Sequence, residues 1–291
     1  MDSGTTAQLC RLVNMDDPYC VFGEVKTIVS AIYPEFDFET VERVFADVIN
    51  LFNGNYPGYR KCNTRYHNLK HTTDAMLAMT RLMHGAVLAG KLISRDNIFL
   101  GIVSALLHDT GYIQEAHDTE GTGAQYTLVH ITRSIEFMKG YFRSQEWASL
   151  NVQSGEAILC CTGLNAKIDE ILFESGEVVL LGKMMGSADL LGQMADSTYL
   201  EKLPALYQEF VEGQVSGYGS ELDLLKTTPS FYRIVQQRFA GEFSGVNRFM
   251  TDHFRERWGI EDDLYQEAIE ENVRRLEYIL LHHADDYHSH L

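Results

Sequence analysis

The sequence predicts an all-α protein: apolar residues return every three to four positions along most of the chain, period-two alternation never persists, and prolines number five in 291 residues. Val41, Val44, Phe45, Val48, Ile49 and Phe52 make one face of an amphipathic helix, opened by the acidic Glu39 and Glu42 and stopped at Asn53-Gly54-Asn55-Tyr56-Pro57-Gly58. Helices are expected next over 68–84, 94–107 and 127–142, the middle one ending at Asp109-Thr110-Gly111. Further periodic segments cover 145–161, 177–195, 198–213, 229–242 and 262–282, with glycine-bearing turns between several of them. Val178-Val179-Leu180-Leu181 alone also suits a short buried strand. The Gly- and Ser-rich stretch 213–220 reads as a mobile connection to a C-terminal helical portion.

With 45% hydrophobic residues the chain can bury a large core, and one domain over 1–291 with appended helices fits better than two. Forty-one acidic against twenty-four basic residues leave a formal charge of −17, which repels a nucleic acid polymer. There is no run of about 18 apolar residues and no basic-then-apolar start, so neither a membrane span nor a signal peptide is expected and the chain reads as cytoplasmic. Cys10, Cys20, Cys62, Cys160 and Cys161 are odd in number and never spaced as C-x-x-C, which argues against a disulfide framework and a thiolate zinc site. No heptads announce a coiled coil, although an acidic helical protein of this size is compatible with a homodimer.

Three stretches carry chemistry. In Tyr66-His67-Asn68-Leu69-Lys70-His71, two histidines four apart can share a helical face if the helix begins early enough; alone, such a pair is more often simply packed. At the end of the apolar run Ile102-Val103-Ser104-Ala105-Leu106-Leu107 the chain presents His108-Asp109. Burying an imidazole and a carboxylate there is costly unless each has a partner, and a divalent cation satisfies both. A lone aspartate, Asp189, interrupts the apolar helical segment around Met184-Met185-Gly186 and Leu190-Leu191, and an ionised carboxylate facing a core needs a compensating charge.

Together these residues, over about 65–196, resemble the HD superfamily of metal-dependent phosphohydrolases: a histidine, then His-Asp, then a distant Asp. Tyr66-His67-Asn68-x-x-His71 is similar to the opening motif of cyclic-nucleotide phosphodiesterases, and Ala105-Leu106-Leu107-His108-Asp109-Thr110-Gly111-Tyr112 to the usual end of the HD helix. The resemblance implies an HD-domain helical bundle with added N- and C-terminal helices, its metal-binding core at about 60–196 and a C-terminal extension at about 197–291. It implies His71, His108, Asp109 and Asp189 as metal ligands, Asp109 bridging if two ions bind, and His67 as the general acid. One departure stands out. The phosphodiesterases continue with a further histidine and a Pro-Gly step where this chain has Gly111-Tyr112-Ile113-Gln114, and no glutamine and aromatic clamp for a purine is evident.

The expected activity is therefore hydrolysis of a phosphoester or phosphoanhydride in a small phosphorylated molecule, a nucleotide or cyclic nucleotide being the first class considered. One or two divalent ions would be held, among Mg, Mn, Fe and Ni. His117, Glu120 and His130 are available to a second metal, and Lys70 and Arg133 to a phosphate; for His117 and His130 an ordinary surface or packing role has the stronger claim, and Lys70 and Arg133 suit solvated surface charges equally well. A di-iron oxygenase of the same fold and a nucleotide-sensing module without catalysis are the competing readings. The His-rich tail after His282 is assigned no catalytic role.

Overall fold

A computed structural model describes residues 5–145 and 151–291, with side chains from residue 8 onward. Among the described residues there are twelve α-helices and no β-strand, so the all-α expectation holds. In chain order they are α1 (Thr5–Leu12), α2 (Pro18–Ile32), α3 (Glu39–Asn53), α4 (Leu69–Leu88), α5 (Arg95–Leu107) and α6 (His130–Ser144). Then follow α7 (Val152–Cys160), α8 (Gly176–Met194), α9 (Tyr199–Glu212), α10 (Glu221–Ala240), α11 (Phe249–Trp258) and α12 (Leu264–His282). None of them is long and apolar enough to cross a membrane.

The core is organised around α4. Every residue from His71 to Ala86 is buried, which is the behaviour of a helix enclosed on all sides. Its neighbours are α2, α5, α8 and α11, and α5 and α8 are themselves apolar nearly all round. Small residues set the spacing. A Cβ placed on Gly85 would lie 1.8 Å from the Phe249 carbonyl oxygen of α11, and one on Gly192 of α8 would lie 3.0 Å from the Ala75 nitrogen of α4. The apolar cluster is continuous from Leu9 to Ile279. Arg81 is fully buried within it, its guanidinium over the Phe254 and Tyr265 rings and one nitrogen donating to the Tyr265 hydroxyl at 3.0 Å.

Several boundaries differ from the sequence expectation for identifiable reasons. The helix expected from 127 starts at His130, because 123–126 is a 3-10 turn closed by its own backbone. The segment expected over 145–161 is helical only as α7, and 146–150 lies outside the described residues. Val178-Leu181 is helical rather than a strand. The segment expected from 229 begins eight residues earlier, at Glu221, where the Ser220 hydroxyl caps the helix by accepting from Asp223 N; Pro229 is accommodated inside it. The stretch 213–220 is irregular as expected, but Tyr218 stacks on Phe210, so it is packed against α9 and not a free tether.

Gly85→Ala tests the α4–α11 contact. The helix-propensity gain of about 1 kcal/mol is outweighed by overpacking against backbone, and a net loss of about 1–3 kcal/mol is expected in urea unfolding. An unchanged or raised urea midpoint would show that the two helices do not approach this closely.

Candidate metal centre

Three chain segments deliver the site. Asn68 caps α4, its Oδ1 accepting from His71 N at 3.2 Å, which places His71 in the first turn with its side chain buried. His67 precedes the cap and is not on α4, so the two histidines do not share a helical face; their ring centroids stand 5.9 Å apart across the turn. His108 caps the C-terminus of α5, and Asp109 opens the turn that leads into 110–112. Asp189 projects from α8.

The four side chains converge. His71 Nε2 lies 3.2 Å from His108 Nε2, 3.2 Å from Asp109 Oδ2 and 3.1 Å from Asp189 Oδ1. His108 Nε2 lies 3.4 Å from Asp109 Oδ2 and 3.7 Å from Asp189 Oδ1. Ligands at about 2.1 Å in adjacent octahedral positions stand about 3 Å apart, so these spacings fit donors around one ion. Asp109 Oδ2 is buried and close to both imidazoles yet lacks an aligned hydrogen bond, as expected of a donor aimed at a shared centre. His108 Nδ1 faces the Ala105 carbonyl at 2.8 Å; this contact favours the tautomer that leaves Nε2 with its lone pair toward the cluster.

The electrostatics are compatible with a bound cation. Burial opposes a charged imidazole at His71, but the Asp109 and Asp189 carboxylates overcome it and raise His71 to about 10. His108 is raised against burial by the same two carboxylates. Burial would push the carboxyls up, yet the surrounding imidazoles hold Asp109 well below its ordinary value and Asp189 below its own. Two carboxylates thus stay ionised in the interior only if positive charge sits among them. One divalent cation balances both and frees the imidazoles to be neutral ligands.

His130, first residue of α6, joins the rim: its Nδ1 meets the Thr127 carbonyl at 2.7 Å and its Nε2 lies 3.9 Å from Asp109 Oδ1. Burial, opposed by Asp109, lowers His130 and favours its neutral form. His67 stacks on Tyr112 at 4.3 Å, and Tyr112 on His130 at 4.6 Å. The Glu209 carboxylate from α9 receives His67 Nδ1 at 2.7 Å and Tyr66 N at 2.6 Å. Gln193 lies within 3.4 Å of Asp189 Oδ1 and accepts from the Tyr66 hydroxyl at 2.9 Å. Sequence reasoning missed Glu209 and Gln193. Glu209 shares α9 with Glu201 and Glu212, and it is the one of the three that the fold buries.

The remaining candidates lie elsewhere. Lys70 points to Asp74 at 2.6 Å and Asp196 at 3.3 Å, and Asp196 is also paired with Lys202. Arg133 donates to the Gly111 and Ile113 carbonyls at 2.8 and 3.1 Å and stacks on Tyr126, so its fork is committed to bracing the His-Asp turn. A Cβ on Gly111 would stand 2.0 Å from the His130 carbonyl oxygen, which shows how tightly that turn is clamped. His117 is 82% exposed beside Glu115, and Glu120 is exposed. The expectation that these four residues contact a phosphate or a second metal therefore finds no support in their placement. At the C-terminus, His283, Asp286 and His290 also gather, partly exposed.

Above the cluster opens a cavity of about 610 Å³, lined near its floor by His67, Asp109, His130 and Asp189 and walled by α9 and α10.

The cation site is tested by thermal unfolding with Mn²⁺, Fe²⁺, Ni²⁺ or Mg²⁺. An ion at about 100 times its Kd adds about 2.7 kcal/mol to the unfolding free energy, and Asp189→Asn should remove most of that gain. A melting temperature indifferent to every divalent ion would rule the site out.

Comparison with known families places the chain. The family model described as Npun_R2479-like matches residues 38–243, more than two thirds of the sequence and a span that contains every residue of the cluster. No curated protein and no solved structure matches the chain. The protein belongs to the Npun_R2479-like family.

Proposed function

We propose that this protein is a metal-dependent hydrolase of the HD type, cleaving a phosphoester or phosphoanhydride bond in a small molecule. The observation that carries this reading is that Asp109 and Asp189, which line the cavity with His67, each stand within 3.1–3.7 Å of the His71 and His108 imidazoles. A divalent cation held there supplies a Lewis acid for a phosphoryl oxygen and acidifies a water to serve as nucleophile. His67 is the group suited to protonate the leaving oxygen. Glu209 engages its Nδ1 and Tyr112 fixes its plane, which leaves Nε2 to carry the transferable proton. Asp109 turns Oδ2 to His71 and His108 and Oδ1 to His130, an orientation suited to bridging two ions. The formal charge of −17 supports a small substrate over a polynucleotide.

His130 also supports a second reading, a di-iron oxygenase, because it offers an imidazole on the far side of Asp109. Two irons per chain with oxygen consumption and no ester cleavage would select it.

The test is hydrolysis of p-nitrophenyl and alkyl phosphates with each divalent ion. Asp109→Ala should abolish turnover. His67→Ala should lower kcat on an alkyl phosphate by about 100-fold or more, and on the p-nitrophenyl ester by about tenfold at most, because a good leaving group needs little protonation. Equal losses on both esters would remove His67 from the role of acid.

A further inference from the structure

The wall of the cavity differs in kind from its floor. Its histidine and acidic lining groups, His67, Asp109, His130 and Asp189, are at the metal end, and among the described residues that line it there is no lysine and no arginine. Leu203, Leu206, Phe210, Tyr218, Leu224 and Phe231 from α9, α10 and the turn between them form the opposite side. The apolar character continues to solvent at the mouth, where Leu128 is 70% and Leu164 53% exposed.

Several polar residues of the wall are committed. Thr127, Thr162, Thr227 and Thr228 each donate the hydroxyl proton to a backbone carbonyl three or four residues earlier, at 2.7–2.9 Å. Gln193 is engaged by Asp189 and Tyr66. Thr132, Asn165, Tyr199 and Tyr218 add polar groups to the lining, but a polyphosphate would meet no lysine or arginine there, and apolar side chains dominate the face made by α9 and α10.

Building on the phosphohydrolase reading, we propose that the substrate is an amphiphile: a phosphate ester whose single anionic head sits at the metal and whose hydrocarbon chain fills the cavity. The two-ended character of the site matches the two ends of such a molecule. A volume of about 610 Å³ accommodates a chain well beyond a few carbons. Hydrolysis breaks the phosphorus–oxygen bond of the ester; water supplies the new oxygen on phosphorus, and the departing alkoxide takes a proton from His67 to leave as the alcohol.

Two parallel series test this on the full-length, metal-loaded protein: ethyl, butyl, octyl and dodecyl phosphates below their micellar concentrations for kcat/KM, and the matching non-hydrolysable alkylphosphonates for Kd by calorimetry. AMP and cyclic AMP serve as comparison substrates. Burial of each methylene corresponds to about fourfold in affinity, so ethyl to octyl should gain at least about 100-fold in both series. Phe231→Asp should cut the octyl gain by about tenfold or more, and Leu164→Asp at the half-exposed mouth should act in the same direction if the first variant does not fold. Phosphonate affinity that rises with chain length without any hydrolysis would keep the amphiphile and refute the hydrolase. A flat chain-length profile in binding overturns the amphiphile whether or not an ester is cleaved, and faster cleavage of AMP than of octyl phosphate does so while sparing the hydrolase.

Discussion

Two carboxylates packed beside two imidazoles in a helical interior cannot satisfy one another unless protons or a cation supply positive charge. His71, His108, Asp109 and Asp189 are in that position, and much of the surrounding architecture serves to hold them there. The α4 cap on Asn68 sets His71 in the first buried turn. The end of α5 releases His108 and Asp109 together, and the N-terminus of α6 clamps the turn that follows through Arg133, Ser134 and the close approach at Gly111. Charges that would otherwise compete for the cluster are occupied elsewhere: Lys70 and Lys202 with Asp74 and Asp196, Arg133 with backbone carbonyls. The result is a pair of buried anions with no lysine or arginine counterion beside them, balanced only by protons on His71 and His108 or by a bound cation.

The same economy shapes the approach to the cluster. His67 is oriented by Glu209 on one edge and by Tyr112 on one face, so a ring outside any helix still has a defined direction. Because Glu209 and the apolar wall come from neighbouring parts of α9 and α10, the elements that would orient a proton donor also shape the volume in which a substrate would lie. Orientation and selectivity are therefore coupled through one pair of helices.

How much of this was legible follows from where each residue stands in its own periodic pattern. Asp109 and Asp189 were visible because a carboxylate interrupting an apolar run has few inexpensive explanations. Glu209 is one of three glutamates on α9, beside Gln208, and only its burial in the fold sets it apart from Glu201 and Glu212. The roles of Lys70 and Arg133 were not readable, since a cation on a helix face looks the same whether its partner is a ligand, an aspartate or a distant carbonyl. Whether His67 and His71 share a face depends on where α4 begins, and the Asn68 cap leaves His67 outside the helix. The periodic pattern marks α10 only from 229, although Ser220 is a capping signal well before that position; α11, rich in charge, has only Phe249, Met250, His253 and Phe254 to mark its buried face.

The central claim is that the buried cluster exists to hold a cation, and anomalous diffraction from crystals of the metal-loaded protein tests it most directly. A peak at the edge of the bound metal, about 2–2.3 Å from His71 Nε2, His108 Nε2, Asp109 and Asp189, is the predicted result. A cluster without a peak, with metal found only at the C-terminal His283, Asp286 and His290, would contradict it.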